Sequence, residues 1–343
     1  MPNLPLTRRL LEEGLGSQRW RGYTLSVFHR NRPFTLFGGN VPHAQASVCW
    51  YSAGKPVVAA GVLRLLEDQF SLWEKPMSAT FPELQGSHLG SLSLLPILTH
   101  RTGVRFIDLD LAKTEEEILR VLAQTQPADC QLQPGQAAYD PRGGWWLLGQ
   151  WIRRHSRRPW SDYLHEAILK PSGAGNMFFT QTNRGAEVPM EEWKSNRWER
   201  APAMAELGNL CGSSMDLARF YRTLLAGGID PETGHQLLQP STMDKFLHRQ
   251  REGQRDQTFF HTVDFGLGVI LDSNRYGATT VPYGFGSTSS DRTFGHGGSR
   301  SSIGFADPAA ELVVALCLLG QVAEPRHQSR MREVLDSLRS ELA

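Results

Sequence analysis

The stretch that decides the fold places a serine three residues before a lysine: Cys49-Trp50-Tyr51-Ser52-Ala53-Gly54-Lys55-Pro56-Val57-Val58. Residues i and i+3 of a helix lie on one face, so the amine of Lys55 can reach the hydroxyl of Ser52. A serine hydroxyl is a poor nucleophile until a base takes its proton, and a lysine can be that base where burial disfavours its charged form. The pair is therefore a candidate for attack on a carbonyl group.

The spacing has an ordinary alternative, which is a surface lysine one turn after a serine that caps a helix. Apolar residues at positions 57, 58, 62, 65 and 66 predict a helix after the pair. Pro56 suits the first turn of that helix, where a missing N–H costs little. Ser52 is then at or just before the helix start, where free N–H groups and the helix dipole favour developing negative charge.

Length and composition are those of an ordinary globular protein. The chain has 343 residues, 40% hydrophobic and 21% charged, and its net charge of +1 gives no argument for a nucleic-acid partner. The first nine residues contain no apolar run of the signal-peptide kind, and no stretch is as long as a membrane span. The cysteines Cys49, Cys130, Cys211 and Cys317 are interpreted as small buried side chains. We expect a cytoplasmic protein without a membrane partner.

Strand patterns fall at the two ends of the chain. Residues 23–38 alternate around a turn and predict an antiparallel hairpin, and further strands are predicted over 265–271, 302–306 and 312–319. A helix over residues 330–342 closes the chain. One sheet assembled from both chain ends follows from this pattern.

The middle of the chain is predicted to be helical. Thr114 and Glu117 form a capping box that opens a helix ending near Gln124. Further helices are predicted over residues 144–154, 160–169 and 215–225. The fold class is α+β, with a sheet domain of residues 1–48 and 261–343 and an inserted, mostly helical lobe of residues 49–260 that carries Ser52. Residues 272–295 are predicted to form a long loop.

A tyrosine in a turn is a further candidate for the chemistry. Tyr139 follows Gln133-Pro134-Gly135 and precedes Asp140-Pro141, ahead of a predicted helix. Its phenol could pass a proton to a leaving group. The alternative is a tyrosine that caps the core with its hydroxyl in water.

A glycine-rich segment near the C-terminus could hold a substrate against the backbone. It contains His296, Gly297, Gly298 and Ser299 and is predicted to lead into an edge strand. A backbone N–H of this segment and that of Ser52 could together form an oxyanion hole. His296 by itself is more often an ordinary loop histidine.

The motifs occur in the order Ser52-x-x-Lys55, Leu98-Thr99-His100-x-x-Gly103, Pro134-Gly135 with Tyr139, and His296-Gly297-Gly298. Taken together they resemble the class C β-lactamase-related serine hydrolases, a family that includes esterases, D-amino-acid peptidases and acyltransferases. The resemblance spans about residues 20–340. It implies an antiparallel sheet flanked by N- and C-terminal helices, with the site in a groove between sheet and helical lobe.

The resemblance also implies roles. Ser52 would be the nucleophile, Lys55 its proton acceptor and Tyr139 the acid and base toward the leaving group. His296 would stand where the family has the lysine of a Lys-Thr-Gly box, and Ser299 would supply the second oxyanion N–H. No cofactor and no metal are implied, and the partner would be a small acyl substrate.

Two departures from the family pattern bear on the substrate. Pro141 stands where lactamases and peptidases carry an asparagine that holds the substrate amide, and proline has no side-chain donor. His296 is a weaker anchor for a carboxylate than lysine. Arg300 would restore such an anchor if it faced the groove. Histidine in this box looks more like the esterase and acyltransferase branch.

We therefore expect a serine hydrolase or acyltransferase that acts on an ester, thioester or small amide. A β-lactamase or D-amino-acid-specific peptidase is the alternative, and a non-catalytic binding protein on the same fold is a second one. The sequence contains no Gly-x-Ser-x-Gly elbow, no His-Glu-x-x-His and no phosphate-binding Gly-x-x-x-x-Gly-Lys motif.

Overall fold

The hairpin predicted over residues 23–38 and the strand predicted over residues 312–319 lie side by side in one sheet. The computed structural model describes residues 4–180, 182, 185–202, 209–299 and 301–343. The α-helices in these ranges are α1 (Pro5–Gly16), α2 (Lys55–Asp68), α3 (Met77–Thr80), α4 (His88–Ser91), α5 (Leu94–Leu98), α6 (Glu115–Gln124), α7 (Gly143–Ser156), α8 (Trp160–Leu164), α9 (Ser214–Leu225), α10 (Pro240–Leu247) and α11 (Glu324–Leu342). Arg300, which was considered above as a possible carboxylate anchor, lies outside the described residues.

The strands of the described residues are shorter on average than the helices. They are β1 (Gly22–His29), β2 (Arg32–Gly39), β3 (Val48–Cys49), β4 (Phe178–Phe179), β5 (Glu191–Lys194), β6 (Arg197–Arg200), β7 (Leu210–Gly212), β8 (Arg255–Asp256), β9 (His261–Thr262), β10 (Ile270–Leu271), β11 (Phe294–Gly298), β12 (Ser302–Asp307) and β13 (Leu312–Leu319). The predicted hairpin is confirmed as β1 and β2, and the strand predicted over residues 312–319 is confirmed as β13.

Six strands form the main sheet in the order β10-β11-β12-β13-β1-β2, with every neighbouring pair antiparallel. Strand β13 pairs with β1 along its whole length, so that Val314 lies opposite Val27. The two ends of the chain therefore build one sheet, as the strand pattern predicted.

Strand β13 is apolar at all eight positions because both of its faces are buried. Its even-numbered side chains from 312 to 318 belong to a hydrophobic cluster with Leu335 of α11. Its odd-numbered side chains from 313 to 319 belong to a second cluster with Phe220 of α9. The sheet is thus covered by the terminal helices on one face and by α9 on the other.

Helix α2 runs through the core of the helical part. Eleven of its 14 residues are buried, so it is apolar on nearly all sides rather than along one stripe. A Cβ at Gly61 would lie 2.1 Å from the side chain of Leu164 in α8, which shows how closely the two helices pack. The helix begins at Lys55, and a 3₁₀ turn over Tyr51–Gly54 precedes it.

Three predictions about the last third of the chain are wrong in extent. The strand expected over 265–271 is reduced to β10, because the chain turns at Gly268, whose φ is +80°. The glycine-rich segment expected to be a loop before an edge strand is itself strand β11, and β12 lies inside the sheet. The last helix begins at Glu324 instead of residue 330.

Two further findings concern the organisation of the chain. Strand β3 lies across the predicted boundary after residue 48 and pairs with β7, which belongs to the predicted helical lobe. The division at residues 48 and 261 remains a prediction. In the part of the chain that the structure describes, no helix combines the length and apolarity needed to cross a bilayer.

Candidate active site

Ser52 and Lys55 meet at the point where the 3₁₀ turn passes into α2. Nζ of Lys55 lies 3.0 Å from Oγ of Ser52, within hydrogen-bond distance. The lysine side chain is fully buried, and Ser52 is 7% exposed. An amine at this distance is placed to exchange a proton with the serine hydroxyl.

The turn that carries Ser52 is held by two hydrogen bonds from distant parts of the chain. Tyr51 has a φ of +50°, a left-handed conformation that is unusual for a bulky side chain. Its hydroxyl accepts a hydrogen bond from Nε2 of Gln321, and the carbonyl of Trp50 accepts one from Oγ of Ser302. These contacts fix the backbone before Ser52, and such support from surrounding structure is what lets a strained backbone conformation persist.

Tyr139 is placed by strand β8 and by the residues that follow it. Its backbone N–H donates to Oδ1 of Asp256 at 3.1 Å, and its carbonyl accepts from Oγ1 of Thr258 at 2.8 Å. Nζ of Lys55 lies 6.0 Å from the centre of the phenol ring. Tyr139 is thus brought from a distant part of the sequence to the serine–lysine pair.

His100, which belongs to the second of the four sequence motifs, packs against Tyr139. The two rings lie 4.5 Å apart, and Nδ1 of His100 accepts the backbone N–H of Asp140 at 3.1 Å. The buried Arg251 donates to the carbonyl of His100 and pairs with Asp256 at 3.0 Å. Burial and the neighbouring Arg251 hold the pKa of His100 well below its usual value, so this ring is neutral.

The glycines of β11 let this strand lie against the turn that carries Ser52. A Cβ at Gly298 would lie 2.2 Å from the carbonyl oxygen of Trp50, and one at Gly297 would lie 2.0 Å from the ring of Tyr283. Any larger residue at these positions would push the strand away from the turn or from the Tyr283 ring.

His296 lies on β11 with its ring buried at 1% exposure. Nδ1 donates to the carbonyl of Gly297 at 2.7 Å, because a carbonyl can only accept. Burial, and next the proximity of Lys55, lower the pKa of His296 to about 3. The ring is therefore neutral at ordinary pH. It cannot supply the positive charge that the lysine of a Lys-Thr-Gly box would carry.

A cavity of about 610 Å³ brings the predicted residues together. Ser52, Tyr139, His296, Gly297 and Ser299 all line it, with Lys55 beneath Ser52 and Gly298 against the carbonyl of Trp50. Every predicted site residue therefore lies at or next to one cavity. Their chemical roles remain predictions.

Apart from Pro141, the other residues that line the cavity were not predicted from the sequence. This part of the cavity wall is largely apolar and aromatic, with one arginine and one glutamate: Phe106, Pro141, Arg142, Thr258, Phe259, Phe260, Pro282, Tyr283 and Glu324. These residues come from loops and from a helix start, where no periodicity marks them. The buried supports Asp256 and Arg251 were missed for the same reason. Among the described residues, no three His, Cys, Asp or Glu side chains are grouped so that they could hold a metal ion.

A comparison with protein families matches the β-lactamase model over residues 7–338, nearly the whole chain. The chain belongs to the β-lactamase family. It is a serine hydrolase of this family, with the family fold of antiparallel sheet and helices. No curated protein matches the chain significantly.

Solved structures share the fold of this β-lactamase family member at low sequence identity. A penicillin-binding protein homologue from Caulobacter crescentus is 19% identical, with a TM-score of 0.74 over 98% of this chain and 97% of that one. EstCE1, described as a hydrolase with promiscuous acyltransferase activity, is 14% identical, with a TM-score of 0.75 over 96% and 97%. A family VIII carboxylesterase is 17% identical, with a TM-score of 0.71 over 98% and 97%.

Proposed function

We propose that this member of the family hydrolyses or transfers the acyl group of a small ester, thioester or amide through an acyl-Ser52 intermediate. The observation that carries the proposal is the 3.0 Å distance between Oγ of Ser52 and the buried Nζ of Lys55, at the wall of a cavity that Tyr139 also lines. A nucleophile within reach of a buried base, beside a second proton-transfer group, is the arrangement that acyl transfer requires.

The reaction proceeds in two halves. Lys55 in its neutral form takes the proton of Ser52, whose oxygen attacks the carbonyl carbon of the substrate. The N–H groups of Ser52 and Ser299 stabilise the oxyanion. Tyr139 protonates the leaving group as the carbon–heteroatom bond breaks.

The second half reverses the proton movements. The phenolate of Tyr139 takes a proton from water or from an alcohol, which attacks the acyl carbon. Lys55 then returns its proton to the departing oxygen of Ser52. Atoms and protons balance over the cycle, and the enzyme is regenerated.

The cavity wall supports ester or acyl-transfer chemistry over peptide recognition. Pro141 and the neutral His296 line the cavity, and the resemblance implies that they replace the amide-binding asparagine and the lysine of lactamases and peptidases. Phe106, Phe259 and Tyr283 add apolar and aromatic surface, which suits an uncharged acyl group. EstCE1 and the family VIII carboxylesterase carry these activities in their names. We place the reaction in the cytoplasm, as the sequence analysis expects.

The test combines labelling with turnover. A fluorophosphonate probe is expected to label Ser52 of the wild-type protein, identified by mass spectrometry of the peptide, and Ser52→Ala is expected to abolish labelling and ester turnover. A p-nitrophenyl ester series and a chromogenic cephalosporin are compared by kcat/KM. Faster opening of the cephalosporin would favour the β-lactamase alternative, and an unlabelled Ser52 would favour a binding protein.

A further inference from the structure

The ring nitrogen Nε2 of His296 is a buried polar atom without a partner among the described residues. The other nitrogen, Nδ1, is committed to the carbonyl of Gly297 at 2.7 Å and therefore carries the ring proton. In the neutral ring, Nε2 is left with a lone pair and no hydrogen. It can accept a hydrogen bond, and it has none to donate.

A buried acceptor is normally paired, and one that has no partner within the protein can accept a hydrogen bond from a water molecule or a ligand. His296 lines the same cavity as Ser52 and Tyr139, and its ring centre lies 5.8 Å from that of Tyr139. Phe265 packs against it edge-on at 6.4 Å, which limits rotation of the ring. The lone pair is therefore held close to the reacting groups.

We propose that Nε2 of His296 accepts a hydrogen bond from an O–H or N–H group of the bound acyl donor, so that the cavity selects substrates with such a group a few bonds from the scissile carbonyl. This inference rests on the proposed function and names the substrate chemistry of its site. A carboxylate would place its own lone pairs against that of Nε2, so this position disfavours the anion that a lysine would attract.

The donor could belong to the acyl part of the substrate or to its alcohol part, and matched ester pairs distinguish the two. The first pair is phenyl 2-hydroxypropanoate and phenyl 2-methoxypropanoate. The second pair is the 2-hydroxyethyl and 2-methoxyethyl esters of butanoic acid. Each ester is measured by its turnover and by how far it slows fluorophosphonate labelling of Ser52, so an ester that binds without reacting is also detected.

The wild-type protein is expected to prefer the hydroxyl-bearing member of at least one pair by about tenfold, because the methyl ether leaves Nε2 unpaired. Equal or reversed preference in both pairs would overturn the inference. If Ser52 is labelled in that case, the proposed function stands and only the inference fails. If Ser52 is not labelled at all, the proposed function fails first.

Variants of His296 give an independent comparison. His296→Gln keeps an acceptor and should keep part of the preference, whereas His296→Leu should lose it. His296→Lys should shift preference toward a hemisuccinate ester, which carries a carboxylate. Labelling of Ser52 serves as the control for folding of each variant. If a variant does not fold, the matched esters measured on the wild-type protein test the inference by themselves.

Discussion

At the scale of single residues, the site depends on a lysine that the fold removes from water. The side chain of Lys55 is fully buried between Ser52, the ring of Tyr139 and the ring of Trp145, with Nζ 5.3 Å from the centre of the latter. A lysine on the surface would stay protonated and would be no base for a serine.

Replacement of this lysine tests its role as the base. Lys55→Met keeps the length and the apolar part of the side chain but removes the amine. We expect the rate of fluorophosphonate labelling at Ser52 to fall by about 10²- to 10⁴-fold, the usual contribution of a general base. Lys170→Met is the matched control, because Lys170 is largely exposed, and its labelling rate should not change. Equal rates in wild type and Lys55→Met would contradict the assignment.

His296 makes stability depend on pH. Its pKa is about 3 in the folded protein and 6.5 in its ordinary state, so between these values the unfolded chain binds a proton that the folded protein does not. Stability is therefore full above pH 6.5 and falls as the pH decreases from there toward 3. The loss at pH 5 should be about 2 kcal/mol.

Urea unfolding at pH 7 and pH 5 measures this effect. His296→Gln cannot titrate, so its loss of stability between the two pH values should be smaller than that of wild type by about 2 kcal/mol. His100 is present in both proteins and cancels in the comparison. The same pH dependence in both would show that His296 does not stay neutral in the fold.

At the scale of secondary-structure elements, strand β11 is the element that joins sheet and nucleophile. Gly298 allows its backbone to approach the carbonyl of Trp50, and Ser302 on the next strand donates to the same carbonyl. A 3₁₀ turn, a helix start and two strands thus meet around Ser52. Displacing any one of them would move Ser52 relative to β11.

Gly298→Ala tests this contact. A Cβ 2.2 Å from the Trp50 carbonyl cannot be accommodated without a backbone shift, so we expect labelling of Ser52 to slow by about 10²-fold, as small misplacements at active sites do. Gly16→Ala is the control, because a Cβ at Gly16 meets nothing within 4 Å. Comparable labelling in the two variants would show that β11 can move without affecting the nucleophile.

At the scale of the whole molecule, the two ends of the chain stabilise each other. The carboxylate of Glu341, in the last turn of α11, accepts the backbone N–H groups of Leu6 and Thr7 at 2.8 Å each and the hydroxyl of Thr7 at 2.6 Å. These N–H groups at the start of α1 have no acceptor within their own helix. A residue far away in sequence therefore caps the first helix.

Glu341→Ala should lower the free energy of unfolding by about 1 kcal/mol, the usual effect of losing a helix cap. Urea denaturation followed by circular dichroism measures it. Glu74→Ala, at an exposed turn position, is the reference and should stay within about 0.5 kcal/mol of wild type. Should both variants lose the same stability, the cap contributes nothing.

The sequence predicted the elements whose residues follow a local period. The hairpin of β1 and β2, strand β13, helix α2 and the capping box of α6 have alternation, an apolar run, a helical stripe or a cap that can be recognised without tertiary contacts. Strand β11 was missed because glycines carry no side-chain period, and its pairing with β12 is made by the backbone alone.

The sequence by itself determined which groups are available for chemistry: a serine and a lysine one turn apart, a tyrosine after a turn, and a histidine followed by two glycines. Only the tertiary structure decided that they share one cavity, that Lys55 is buried and that His296 presents a lone pair. The reason is physical. Spacing along the chain fixes neighbours within one turn, whereas the burial of Lys55 by Tyr139 and Trp145 and the approach of β11 to Ser52 depend on segments that are far apart in the sequence.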